Sequence, residues 1–315
     1  MPQAIIGIDL GGTNIKSVLL DARTSRVLNR LQVETKAASG VKAVIVSISA
    51  TIRQQLAFAK DQQRSVTAIG IGSAGLVGGG IVRNSPNLPG WQGAVPLLRL
   101  LRKQLRGIKI PVAIDNDVNA FVVAEQRLGA ASGHGNVIGL TLGTGVGGGI
   151  IIDGRLYRGT SGGAGELGHA SIIADGPPCL CGNHGCLEAL VGARAIAARY
   201  NDLGFRAHGR IDKSITVEAI AALARKKDTT ARQALAETGR LLGVALANIV
   251  NIFNPAVIVI GGGVAQAGYL IIRPAVTEMK RRAMPANARG VTVKRAKLGP
   301  WAGAIGAALL ARDQL

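Results

Sequence analysis

Asp115, Asn116 and Asp117 stand in a row after the apolar run IPVAI and before VNAFVVAE. A buried strand that runs into polar residues just before a helix starts is the place where α/β sheets present groups to ligands. Asp117 is the candidate general base, able to accept the proton of an attacking hydroxyl while Asn116 orients the acceptor, as in-line phosphoryl transfer requires. Asp117 is equally suited to capping the following helix, and the two roles are compatible.

A second group of reactive side chains lies in GAGELGHASIIADGPPCLCGNHGCLEA. His169, Cys179, Cys181 and Cys186 form a Cys3His set suited to tetrahedral zinc, although the spacing is not that of a zinc finger. Four protein donors leave no position for water, so the ion would be structural and would pin the loop. His184 is a rival to His169, and a buried cysteine cluster without metal is the alternative reading. Glu166 and Glu188 flank the set, and an ion fixed there would fix both carboxylates.

Glycine turns supply a third chemistry. IIGIDLGGTNIKSVLLD (5–21) aligns without gaps on VIGLTLGTGVGGGIIID (137–153). Each copy reads as strand, glycine turn, strand, that is, a β-hairpin. Glycine lets bare backbone N–H groups approach a phosphate and permits positive φ. Thr13 and Lys16 add a hydroxyl and a charge to the first copy. GTGVGG (143–148) satisfies G-x-G-x-x-G, but Ile150, Ile151 and Ile152 continue a strand where a dinucleotide site needs a helix. Neither turn has P-loop spacing. A third glycine corner, Gly261 to Gly263, ends the apolar strand AVIVI.

Around these sites the pattern predicts a helix over 40–62, a strand over 66–71, a glycine-rich loop, a basic helix over 95–106, a strand over 111–114 and a helix over 118–128. After the second repeat and the cysteine loop come two or three helices, a strand over 256–260, a further helix and a last helix over 302–312. The 315 residues suffice for two domains, with a core built from aliphatic side chains, since the chain has only two Trp, three Tyr and four Phe. The N-terminus lacks a basic n-region, and Asp9 interrupts its apolar run, so it does not read as a secretory signal. Asn248, Asn251, Asn254 and Pro255 interrupt the most apolar stretch (241–263), which favours a helix followed by a buried strand over a membrane span. These features and the crowded cysteines fit a soluble protein of a reducing compartment.

The net charge of +19 is clustered, with Arg99, Arg102, Lys103 and Arg106 at helical spacing and basic runs at 225–227 and 280–282. The clusters are either a solvated surface or an attraction to a polyanion such as nucleic acid or inorganic polyphosphate. Stacking aromatics do not interleave with them, which weakens single-stranded nucleic acid as a partner.

These residues resemble the ROK family of bacterial sugar kinases and repressors, within the actin-like ATPase superfamily, and are most similar to its glucokinases. DLGGT (9–13) resembles the first phosphate motif, LGTGVGGG (142–149) the second, and GGGV (261–264) the adenosine motif. GELGH followed by C-x-C-G-x-x-G-C-x-E is complete from Gly165 to Glu188. The resemblance spans essentially the whole chain.

It implies a two-domain actin-like (ribonuclease H-like) α/β fold with the sugar site in the interdomain cleft. Residues 1–115 and a returning helix, 301–315, would form one domain, and 116–300 the other, with the zinc loop. Asp117 would be the catalytic base, and Asn116, Asp117, Glu166, His169 and Glu188 would hold the sugar, His169 also serving zinc through its other ring nitrogen. Asp9, Gly11, Gly12, Thr13, Lys16, Thr144, Gly145, Gly262 and Gly263 would bind the nucleotide and its phosphates, Asp9 helping to position magnesium. The expected co-substrate is Mg-ATP and the expected metal one structural zinc.

The implied activity is phosphorylation of glucose at its 6-hydroxyl. N-acetylmannosamine, N-acetylglucosamine and fructose are the alternative acceptors, and polyphosphate an alternative donor. A sugar-sensing repressor is the alternative of another class. Such members carry an added DNA-binding domain, for which a first strand at about Ala4 leaves no room. A cytoplasmic homodimer or homotetramer without specific nucleic acid or membrane partners completes the expectation.

Overall fold

Alternating and continuous apolar runs set the strands. In the computed structural model, which describes residues 1–85, 87–209 and 211–314, β1 (Gln3–Leu10) and β2 (Asn14–Asp21) form the first antiparallel hairpin, and β3 (Val27–Glu34) extends it. Helix α1 (Gly40–Asp61) leads to β4 (Ser65–Ser73), parallel to β1. The stretch expected to be only a glycine-rich loop contains a small sheet of β5 (Leu76–Gly78), β6 (Ile81–Arg83) and β7 (Ala94–Val95). Then come α2 (Leu97–Gln104), β8 (Val112–Asn116), parallel to β4, and α3 (Asp117–Leu128).

The second repeat forms β9 (Val137–Leu142) and β10 (Val146–Ile152), with β11 (Arg155–Leu156) at its edge. Helices α4 (Leu187–Val191), α5 (Ala193–His208), α6 (Val217–Arg225) and α7 (Thr229–Phe253) precede β12 (Val257–Gly261). Helices α8 (Tyr269–Arg282) and α9 (Pro285–Gly290), strand β13 (Thr292–Arg295) and helix α10 (Ala302–Asp313) end the chain.

The two large sheets have one topology, β3-β2-β1-β4-β8 and β11-β10-β9-β12-β13, so the repeat read from the hairpins extends to whole sheets. The gapless alignment hides a slip. Leu10 pairs with Ile15 but Leu142 with Val146, so the first loop is one residue longer. Residues 241–263 split into the end of α7 and β12, as expected. Among the described residues no helix is long and apolar enough to cross a membrane.

The chain divides into two compact units. The first comprises residues 1–132, 156–164 and Lys297 onward, and the second 133–155 and 165–296. This partition differs from the expected 1–115 plus 301–315 against 116–300, because α3 packs on α10 within the first unit. There a Cβ on Gly306 would collide with the Ala120 carbonyl. Glu125 of α3 is fully buried and accepts the N–H groups of Lys297 and Leu298 at 2.8–3.0 Å, which ties the returning chain to α3.

In the first unit, Ile6, Ile8 and Ile69 pack with Val44, Ile48 and Ile52 of α1 and with Leu97 and Leu101 of α2. Fully burying each such side chain contributes about 1.5–3 kcal/mol. Helix α10 packs closely on the strands, because Gly7 and Gly70 let its backbone come so near that a Cβ on either would strike it. The second core joins Ile138, Leu140, Ile258 and Ile260 to Leu242, Leu246 and Val250 of α7.

Helix α2 ends at Gln104, so Arg106 lies beyond it and not on the expected helical face. Arg99, Arg102 and Lys103 are exposed. Arg102 Nη1 also donates to the Ile110 carbonyl at 3.2 Å, and Arg53 Nη2 to the Gln104 carbonyl at 2.9 Å.

Candidate functional site

In the first unit the antiparallel register sets Asp9 opposite Lys16, at the mouth of the glycine turn. The turn closes with the Gly11 N–H on the Asn14 carbonyl at 3.1 Å. Gly11 and Gly12 do not use the positive φ that the sequence suggested. Gly12 is needed for approach instead, since a Cβ there would lie 2.5 Å from the Asn87 carbonyl oxygen. Thr35, past the end of β3, pins the turn from behind. Its N–H donates to Thr13 O at 2.9 Å and its hydroxyl to Gly11 O at 2.6 Å. Sequence reasoning missed it, since a lone threonine after a strand carries no motif.

Asn116, Asp117 and Asp115 meet at the corner between β8 and α3. The cap of α3 is Asn116, not Asp117: Asn116 Oδ1 accepts the N–H groups of Val118 and Asn119 at 2.8 and 3.2 Å. Its Nδ2 donates to the Gly75 carbonyl at 3.2 Å, so most of this amide holds the corner together. Asp117 is the first residue of α3, half-buried, with Oδ1 at 3.0 Å from the Val118 N–H. The corner also brings in Arg158, which the sequence did not single out and which pairs with Asp115 at 2.6 Å.

Asp9 shares this neighbourhood. Burial first, and then the negative charge of Asp117, push its carboxyl up to about 7, against the opposing pull of Lys16. Asp9 also packs on the first turn of α10, where a Cβ on Gly303 would come within 2.8 Å of its carboxyl carbon. A buried carboxylate whose proton affinity is raised, facing a second carboxylate, a lysine and a glycine turn, makes a site that suits a cation bringing anionic phosphates with it.

In the second unit the β9–β10 turn holds Gly143, Thr144 and Gly145, closed by the Gly143 N–H on Gly145 O at 2.9 Å. Gly262, at φ 88°, packs on Leu142 at the entry to this turn, so the second and third glycine motifs meet. Glu188 reaches the same turn: its Oε2 accepts the Val146 N–H at 2.9 Å, and a Cβ on Gly145 would stand 2.6 Å from that oxygen. The other oxygen, Oε1, lies 3.9 Å from Cys179 Sγ. Glu188 thus links the glycine turn to the cysteine loop.

Glu166 and His169 ride on a 3-10 turn (Leu167–His169) that lies directly on β10. Gly168 and Gly165 permit this contact, since a Cβ on Gly168 would collide with the Val146 carbonyl and one on Gly165 would lie 2.7 Å from Gly148 O. His169 Nδ1 faces Cys179 Sγ at 3.7 Å, and Nε2 faces Glu166 Oε2 at 3.9 Å.

The donor atoms of His169, Cys179, Cys181 and Cys186 all lie within 4.8 Å of one another. Among the described residues the imidazole of His184 is not in this set. Cys181 Sγ and Cys186 Sγ are 3.7 Å apart, close to the edge of about 3.8 Å for a tetrahedron with zinc–sulfur bonds of about 2.3 Å. All three cysteines are free. Burial and the neighbouring sulfurs push the Cys186 thiol up to about 12, while a backbone N–H from Asn183 is the first cause lowering that of Cys181.

A model of the ROK family matches residues 5–314. A glucokinase of Thermotoga maritima is 35% identical over 326 positions, taking in 100% of this chain and 99% of that protein. The structure of a ROK family glucokinase from Streptomyces griseus in complex with glucose and AMPPNP matches at a TM-score of 0.81 and 32% identity, over 98% of this chain and 99% of that one. A xylose repressor of Caldicellulosiruptor bescii is 30% identical over 99% of this chain and 79% of its own length. The fold is therefore that of the actin-like α/β sugar kinases, and the chain belongs to the ROK family.

Proposed function

We propose that the chain is an ATP-dependent glucokinase that moves the γ-phosphoryl group of Mg-ATP to the 6-hydroxyl of glucose. The observation that carries this reading is the convergence of Asp9, Lys16 and Asp117 beside the first glycine turn. Asp117 takes the hydroxyl proton as the oxygen attacks the γ-phosphorus, and the released ADP carries away the charge of the broken bond. Asp9 and Lys16, with Gly11, Gly12 and Thr13, receive the magnesium phosphates, while Thr144, Gly145, Gly262 and Gly263 approach the remainder of the nucleotide.

Glu166 and the Nε2 side of His169 accept and donate to sugar hydroxyls. Glu188 contributes through the oxygen that faces the cysteine loop, and Asn116 through the amide hydrogen its own contacts leave over. Zinc held by His169 Nδ1, Cys179, Cys181 and Cys186 would fix the loop that carries the sugar contacts; its role is structural. Free cysteines in such a set fit the reducing, ATP-rich cytoplasm.

One observation favours polyphosphate as a second donor. Residues 35–114 hold eleven lysines and arginines and a single acid, Asp61, a field that would steer a chain of phosphates.

The test is a coupled ADP-release assay with a panel of hexoses, wild type beside Asp117→Asn, and a polyphosphate arm at low salt that follows glucose 6-phosphate. Turnover dependent on glucose and cut at least about a hundredfold in Asp117→Asn is the expected result. Full activity of the variant removes the base assignment, preference for another hexose replaces the substrate, and no turnover with polyphosphate removes the second donor.

A further inference from the structure

Asp115 takes no part in the chemistry proposed above, yet both of its carboxylate oxygens are engaged beside it. It is 8% exposed. Its Oδ1 accepts the Asn116 N–H and the Asn119 Nδ2 group, both at 2.8 Å, and so holds the backbone just before Asp117 and a side chain of the first turn of α3 just after it. Its Oδ2 takes two donors from one guanidinium, Arg158 Nε at 3.0 Å and Nη2 at 2.6 Å.

Arg158 comes from the short stretch 156–164, which belongs to the first unit although the chain on both sides belongs to the second. The Ala164 N–H closes on the Arg158 carbonyl at 3.0 Å, making the stretch a compact loop. Gly159 and Gly162 take left-handed turns within it, and Gly162 lies against the Val77 carbonyl on β5. Two residues past the loop stands Glu166.

Resting on the kinase reading, we propose that Arg158 is a positioning residue for the phosphoryl transfer: by pairing with Asp115 it fixes the β8–α3 corner that aims Asp117, and it anchors the loop leading to Glu166. The physical reason is charge. A buried carboxylate left without its partner keeps a costly charge two residues from the base or takes up a proton and loses an acceptor. In either state the Asn116 and Asn119 contacts loosen and Asp117 swings with the first turn of α3. A displacement of about 1 Å at a reacting group costs up to about a hundredfold in rate.

The test compares wild type, Arg158→Gln, Arg158→Lys and the double variant Asp115→Asn/Arg158→Gln for kcat, the KM values of hexose and ATP, and melting temperature. Arg158→Gln is expected to lower kcat about ten- to a hundredfold with the ATP KM unchanged. The double variant, which replaces the ion pair by two amides, is expected to recover kcat to within about threefold of wild type. Arg158→Lys, which keeps the charge but not the paired donors, is expected to fall in between.

Wild-type kcat in Arg158→Gln overturns the inference. So does a double variant as slow as the single one, with both melting lower, since that marks the pair as structural only. If Arg158→Gln fails to fold, Arg158→Lys decides: a reduced kcat at an unchanged melting temperature supports the role, and an unchanged kcat overturns it. Absence of hexose-dependent turnover in the wild type overturns the kinase reading itself and this inference with it.

Discussion

Gly168→Ala places one methyl group where the turn carrying Glu166 and His169 rests on β10. The new Cβ would collide with the Val146 carbonyl oxygen and stand 2.8 Å from its carbon and 3.0 Å from Val146 Cβ, where ordinary contact begins at 3.4 Å. The partner atoms are backbone and a β-branched side chain within a strand, and they cannot turn aside. The 3-10 turn must therefore lift by about an ångström, carrying Glu166, two residues before, and His169, one residue after.

If Glu166 and His169 hold the hexose as proposed, a shift of that size should cost about a hundredfold in kcat/KM for it, equivalent to about 2.7 kcal/mol. It also opens the 3.7 Å approach of His169 Nδ1 to Cys179 Sγ, so bound zinc should fall. The assay is kcat/KM for the hexose at saturating ATP, with the ATP KM and the zinc content of the same preparation; the ATP KM should stay near wild type. A Gly168→Ala enzyme with kcat/KM within about threefold of wild type and full zinc would refute the claim that this glycine contact positions the turn.

Purified protein should contain about one zinc per chain, and stripping it with a chelator should lower the melting temperature and raise the hexose KM; content well below one without chelator exposure would contradict the Cys3His set. The Asp21 carboxylate accepts the N–H groups of Arg23 and Thr24, the Thr24 hydroxyl and the Arg64 guanidinium, and the Thr24 and Arg64 bonds foremost hold its pKa well below the usual carboxylate range. Its stabilisation is then present in full above the unfolded value of about 3.9 and is lost as pH falls through that value toward the folded one. Asp21→Asn should destabilise the protein by about 1 kcal/mol at pH 7, and the gap in melting temperature should close as pH drops below about 4; a gap independent of pH would show that the charge contributes nothing.

The hairpins were legible because their signal is local: a β-branched run, glycines and a second such run leave few alternatives, and the repeat doubled the evidence. The longer helices and the apolar strand before Gly261 were legible for the same reason. Strand β3 was not read, because VLNRLQVE buries neither face fully and so lacks a strong apolar run. The basic helix was drawn too long, because arginines at helical spacing continue past Gln104 while the chain turns at Leu105. Its propensity would have allowed the extra turn.

Residue types and spacing by themselves determined the chemistry available to this chain: three sulfurs and an imidazole in one short segment, a carboxylate at a strand end, and glycine turns that let backbone reach phosphate. They could do so because donor identity and close backbone approach are properties of single residues and their near neighbours. Only the tertiary structure decided how the donors are used. It gave the cap of α3 to Asn116, tied Glu188 to the second glycine turn, excluded His184 from the sulfur cluster, and brought Arg158 to Asp115 and Thr35 to Gly11 across long stretches of chain. Those pairings depend on strand register and on which glycines admit a neighbour's backbone, and both are settled only when the sheets and helices pack.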